Sequence, residues 1–231
     1  MVVSPHLDDA ILSLGASIGR ATDSGRDVTV LTIFAGHPDS GLPAGGWDRR
    51  GGFATEGEAS RGRRLEDEKA CRALGAESSW LSFSEADYRE ALDADSIWSA
   101  VTGAVTAADP EDVLLPGFPL TNPDHAWVTE LLIDRGLPCS RLGLYAEQPY
   151  RFWARHEHAR SNGEAGRMAT GLPVGWVSVG RSLRDVWSKR RAVVAYRSQI
   201  RLLGLSDRHR LNRMLLDETL RGGEAIRWLQ A

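Results

Sequence analysis

The run Asp27-Val-Thr-Val-Leu-Thr-Ile-Phe34 constrains this chain more than any other stretch. It is β-branched and almost unbroken in apolar character, as a strand must be when both of its faces are covered. A short apolar segment, Val2-Val3, precedes it. Between the two, Ile11, Leu14, Ile18 and Ala21 recur at helical spacing and Gly25 supplies a stop. Residues 2–34 thus read as strand, helix, strand. Two such strands joined by a helix imply a parallel sheet with helices packed against it.

The alternation continues along the chain. A helix is predicted over Arg61–Leu74, with Leu65, Ala70, Ala73 and Leu74 inward and Gly75 ending it. Strands are predicted at Ser79–Phe83, at Asp112–Leu115 (broken by Pro116-Gly117) and at Leu142–Tyr145, with helices over Ala94–Ala108 and from Asp124-His125 to Arg135. Arg151–Gly171 reads as a polar excursion and Val174–Val179 as a strand. One long helix follows over Leu183–Leu205, with Val186, Trp187, Val193, Val194 and Tyr196 on its apolar face, and then a basic helix over Arg208–Leu220. No repeat or linker divides the chain. The expectation is one α/β domain over residues 1–231, a doubly wound, mainly parallel sheet with helices on both faces.

Composition narrows the function. A formal net charge of −3 argues against nucleic acid as a partner. No run approaches the roughly 18 apolar residues of a membrane span, and no basic-then-apolar leader is visible. Two cysteines, Cys71 and Cys139, make no disulfide framework, so a cytoplasmic location is expected.

The chemistry concentrates in two loops. Ser4-Pro5-His6-Leu7-Asp8-Asp9 follows the first strand, and Gly117 to His125 follows the strand at 113–115, each leading into a helix. Loops after the carboxyl ends of parallel strands are where ligands bind. His6 with one of the two aspartates can hold a divalent ion such as zinc while the other aspartate handles a proton. His125 can add the third ligand that the first loop lacks. Asp124 reads either as a catalytic group or as a helix cap. Residues 35–59, rich in Gly and Pro, read as a substrate loop or lid. His37 within it, a chelating His156/His158 pair and the loop aromatics Trp47, Tyr150 and Trp153 are further candidates, the last three for stacking on sugar. Trp80, Trp98, Trp127 and Trp187 are expected in the core. Asp87, in a strand-end loop, can hold sugar hydroxyls or shape a turn.

Pro5-His6-Leu7-Asp8-Asp9 resembles the Pro-His-x-Asp-Asp signature of the PIG-L/LmbE-like metal-dependent N-deacetylases, and Asn122-Pro123-Asp124-His125 is similar to that family's His-x-Asp-His motif. Arg63-Arg64-Leu65-Glu66-Asp67, Tyr145-Ala146-Glu147-Gln148-Pro149-Tyr150 and Tyr196-Arg197-Ser198-Gln199 resemble its later landmarks in the same order. The resemblance implies a Rossmann-like fold and removal of an N-acyl group from an amino sugar or sugar-containing small molecule, with zinc or another divalent transition metal. It implies His6, Asp9 and His125 as metal ligands, Asp8 as general base and Arg63 as a substrate-binding residue. Asn122 stands where many members carry a histidine that stabilises an oxyanion or donates a proton. That departure leaves two alternatives open, an amidase acting on another amide such as a thiol conjugate, and a catalytically weakened sugar-binding relic.

Overall fold

A computed structural model describes residues 1–36, 38–89, 91–156, 174–180, 182–205 and 208–229. Seven strands form one sheet in the order β3-β2-β1-β4-β5-β7-β6. They are β1 (Val2–Ser4), β2 (Thr29–Thr32), β3 (Glu77–Trp80), β4 (Asp112–Phe118), β5 (Arg141–Ala146), β6 (Val177–Val179) and β7 (Glu224–Trp228). The first five are parallel, whereas β7 pairs antiparallel with both β5 and β6. The chain winds outward from β1 through β2 to β3, then returns to lay β4 on the other side of β1. The carboxyl ends of β1 and β4 therefore flank the point where strand order reverses, the crevice in which open α/β sheets place ligands.

Strand side chains alternate between two cores, as the two-residue period requires. Val2, Val30 and Leu114 face α1 (Asp9–Asp23), α3 (Glu56–Ala73), α7 (Leu183–Val193) and α9 (Arg208–Leu220); Val3, Leu31, Val113 and Leu115 face α4 (Ala94–Ala108) and α5 (Pro123–Arg135). The other α-helices among the described residues are α2 (Gly46–Gly51), α6 (Tyr150–His156) and α8 (Arg197–Leu202). No described helix is long and apolar enough to cross a membrane.

Several expectations are corrected. Helix α3 begins at Glu56, where Thr55 and Glu58 form a reciprocal capping box. Its buried face carries Arg63 and Asp67, and Leu65 is 49% exposed. Strand β4 runs through Pro116-Gly117 to Phe118 with a shift in register there, and a side chain at Gly117 would collide with Leu144 Cβ. The long helix predicted over 183–205 is two helices, α7 and α8. Tyr196 breaks them apart because its hydroxyl donates to Asp67 (2.6 Å), while Glu66 accepts from the Ser198 backbone N–H (3.0 Å). Trp187 is not in the core: it is 62% exposed, with the Arg191 guanidinium over its ring. Tyr150, Trp153 and Trp47 lie on helices α6 and α2 instead of in loops.

Candidate metal centre

Helix α1 starts directly after β1, so His6, Asp8 and Asp9 are delivered to the carboxyl edge of the sheet. Helix α5 starts after β4, with the Asn122 side chain capping it by accepting from the Asp124 N–H (2.9 Å) and Pro123 in its first turn. Asp124 is thereby released from capping. Its neighbour His125 points inward and is fully buried.

Three donor atoms converge between the loops. His6 Nδ1 lies 3.1 Å from Asp9 Oδ2 and 3.1 Å from His125 Nε2, and the latter lies 3.0 Å from Asp9 Oδ2. Among the described residues these are the three whose ligand atoms are grouped closely enough to share an ion. Zinc bonds of about 2.0–2.2 Å at tetrahedral angles separate neighbouring donors by about 3.3–3.5 Å. The observed triangle is within a few tenths of an ångström of that.

Each imidazole is held from behind by a carboxylate. His6 Nε2 faces Asp124 Oδ2 at 3.1 Å, and His125 Nδ1 faces Glu147 Oε1 at 2.5 Å. In the neutral imidazoles these outer contacts favour the ring N–H on the far nitrogen, which leaves the near nitrogen's lone pair for the centre, the usual arrangement behind metal-bound histidines. The carboxylates are themselves anchored. Arg89 Nη2 donates to Asp124 Oδ1 (2.5 Å), and the Leu120 N–H donates to Glu147 Oε2 (2.8 Å).

The electrostatics follow from this density of carboxylates. Burial opposes charge on His6, but Asp124 and Asp9 carry its pKa up to about 10; burial likewise opposes charge on His125, but Asp9 and Glu147 carry it up to about 9. The same contacts hold Asp9, despite its burial, well below the usual carboxylate range. Asp8 moves the other way, pushed up by burial and then by the negative charge of Asp9, with Arg63 opposing. Two adjacent aspartates thus occupy different electrostatic environments. One is tied to the imidazoles and the other is not, although both are buried.

The residues expected to meet substrate sit differently. Arg63 is 2% exposed and paired with Asp48 (3.3 Å) and Glu85 (2.6 Å), and its charge acts on Asp8. The Asp87 carboxylate accepts from the Trp47 N–H (2.8 Å), and the Trp47 indole donates to Gln199 (2.8 Å). Both therefore fasten the segment around α2 to its surroundings. His37 and His158 lie outside the described residues, as does the side chain of His156.

Glu147 and Arg89 were not expected at the centre as metal-site partners. Glu147 carries a signal, since it immediately follows β5, the neighbour of β4, on the same sheet edge. Arg89 carries none, because it reaches Asp124 from a loop beyond β3.

Residues 1–135 match the family model described as PIG-L, GlcNAc-PI de-N-acetylase. The chain is 30% identical over 250 aligned positions to 2'-N-acetylparomamine deacetylase of Niallia circulans, covering 89% of this chain and 81% of that protein. Among solved structures, the A40926 pseudoaglycone deacetylase Dbv21 superimposes with a TM-score of 0.73 at 28% identity, over 98% of this chain and 94% of that one. A triple mutant of a deacetylase in the teicoplanin biosynthetic pathway, Orf2*T, gives 0.73 at 26% identity, over 98% and 95%.

Proposed function

The chain belongs to the PIG-L family, and from that premise we propose that it is a metal-dependent hydrolase that removes an N-acyl group, acetyl in the first instance, from an amino sugar within a sugar-containing natural product. The observation that carries this reading is the triangle of His6 Nδ1, Asp9 Oδ2 and His125 Nε2 at the switch point of the sheet. Relatives at 26–30% identity are a 2'-N-acetylparomamine deacetylase, a deacetylase of the antimicrobial A40926 pseudoaglycone and a deacetylase of the teicoplanin biosynthetic pathway, which supports the substrate class.

His6, Asp9 and His125 would hold the ion, and zinc suits two imidazoles and one carboxylate. Such an ion, when bound, polarises an amide carbonyl and lowers the pKa of water from 15.7 toward about 7. Asp8 takes the proton of the attacking water and returns it to the departing nitrogen. One water is consumed, the C–N bond breaks, and a carboxylic acid and a free amine leave. Asp124 and Glu147 orient the imidazoles. Arg63 supplies positive charge behind Asp8 from within the Asp48–Glu85 pairings.

Two measurements test the reading together, the metal content of the purified protein and release of acetate from N-acetylglucosamine-bearing conjugates. One equivalent of metal with acetate release supports it. A protein that binds no divalent ion and releases no acid from any N-acyl sugar contradicts it.

A further inference from the structure

Asn122 does more than cap α5. The Asp124 backbone N–H can only donate, so the atom of Asn122 that faces it at 2.9 Å is the amide oxygen. The other end of the amide is then fixed as NH₂, and it donates to the Tyr150 hydroxyl oxygen at 3.2 Å. That hydroxyl is therefore an acceptor in its contact with Asn122, and its own proton points elsewhere.

Tyr150 follows β5 on α6, so it rises from the same sheet edge as the three converging donors. Its ring stands T-shaped to His125, 5.5 Å between centroids at 87°, and Trp153 packs against it with the same separation and angle. The carboxylates of Asp9 and Asp8 are within electrostatic reach of its hydroxyl. Here is a neutral hydroxyl, its oxygen engaged by Asn122 and its proton free of that contact, at the edge of a site whose proposed reaction develops negative charge on oxygen.

We propose that Tyr150 is a catalytic residue of this chain, donating a hydrogen bond through its hydroxyl to the substrate carbonyl oxygen as that oxygen becomes an oxyanion, and that Asn122 is the positioning residue that turns the hydroxyl proton toward it. This rests on the amide-hydrolase reading given above. It requires no transfer of the tyrosine proton. A neutral donor aimed where charge develops contributes mainly in the transition state.

The test uses the metal-loaded protein and two variants. Tyr150→Phe removes the donor. Asn122→Asp retains a capping oxygen but replaces the NH₂ by a second acceptor, so the Tyr150 O–H turns to it and is lost to the substrate. Each is expected to lower kcat by about 10²-fold, as removal of one oxyanion donor does, with KM and metal content unchanged. The double variant should be no slower than the worse single one, because both act through one hydrogen bond. Binding of methylphosphonate, a tetrahedral anion, followed by calorimetry gives a readout independent of turnover, and Tyr150→Phe should weaken it at least tenfold. Unchanged kcat in Tyr150→Phe, a loss confined to KM or metal content, or equal methylphosphonate binding overturns the inference. Absence of turnover in the parent would instead count against the hydrolase reading, and the methylphosphonate comparison would still decide this one.

Discussion

Helix α1 connects two buried charge clusters that solve the same electrostatic problem in opposite ways. At its first turn lies the trio of His6, Asp9 and His125, backed by Asp124 and Glu147. Two turns later, the fully buried Lys189 ammonium sits 2.7 Å from Glu218 and 2.9 Å from Glu224, with the Ser13 carbonyl at 3.3 Å. Glu224 also accepts from the Ala16 and Ser17 N–H groups (2.8 and 2.7 Å), which a break in α1 at Leu14 leaves free. Gly15 lets the lysine approach, since a Cβ there would sit 2.9 Å from Lys189 Cγ. Even the β5–α6 loop is shared, with Glu147 serving one cluster and Gln148 the other, where it donates to Glu218 at 3.0 Å.

The lysine cluster carries its own cation and closes on itself. The histidine cluster gathers carboxylates and ring nitrogens around one point, its arginine Arg89 engaged at the outer carboxylate Asp124, and stands partly open at His6. Buried charge is tolerated when it is paired. The first cluster satisfies that condition from within the chain, and the second satisfies it by taking up protons or an ion. That difference separates a structural staple from a candidate binding centre more sharply than burial does.

Substitutions can break or sharpen the contrast. The largest effect is expected from Asp8→Asn, which should lower kcat by about 10²–10⁴-fold, the range for loss of a general base, while metal content and melting temperature stay close to the parent's. Next, Lys189→Met should strand Glu218 and Glu224 without a cation and destabilise the fold by about 3–5 kcal/mol, read by denaturant unfolding, with metal stoichiometry of the folded fraction intact. Glu147→Gln should weaken metal affinity by about 10–100-fold in a competition titration. Smallest, adding zinc at five times its Kd should stabilise the parent by about 1.1 kcal/mol, and the same addition should leave His125→Ala unmoved. A zinc effect that survives in His125→Ala but vanishes in Lys189→Met would reverse the assignment of the two clusters.

Much of this was legible in the sequence because it is local. The Asp27–Phe34 run dictated a parallel sheet, and the His-x-Asp-Asp and Asn-x-Asp-His loops lie next to strands whose order brings them together. What was not legible depends on contacts across the chain. Strand β7 follows a Gly222-Gly223 turn and carries Glu224 inward, so its charge disguises a buried position. The break at Tyr196 is set by Asp67 and Glu66, some 130 positions away in sequence. Arg63 and Asp67 invert the polarity of α3, and Leu65 is exposed because the inward face of that helix serves charges. The Thr55–Glu58 capping box was readable, but Gly57 and Gly62 weakened the helical pattern after it.

The central claim is that two loops more than a hundred residues apart share one ion. Anomalous diffraction at the zinc edge from crystals of the zinc-loaded protein tests it most directly. The account predicts a single strong peak bonded to His6 Nδ1, Asp9 Oδ2 and His125 Nε2 at about 2.0–2.2 Å. A peak elsewhere, or none at that triangle in protein that still releases acid from an N-acyl sugar, would contradict it.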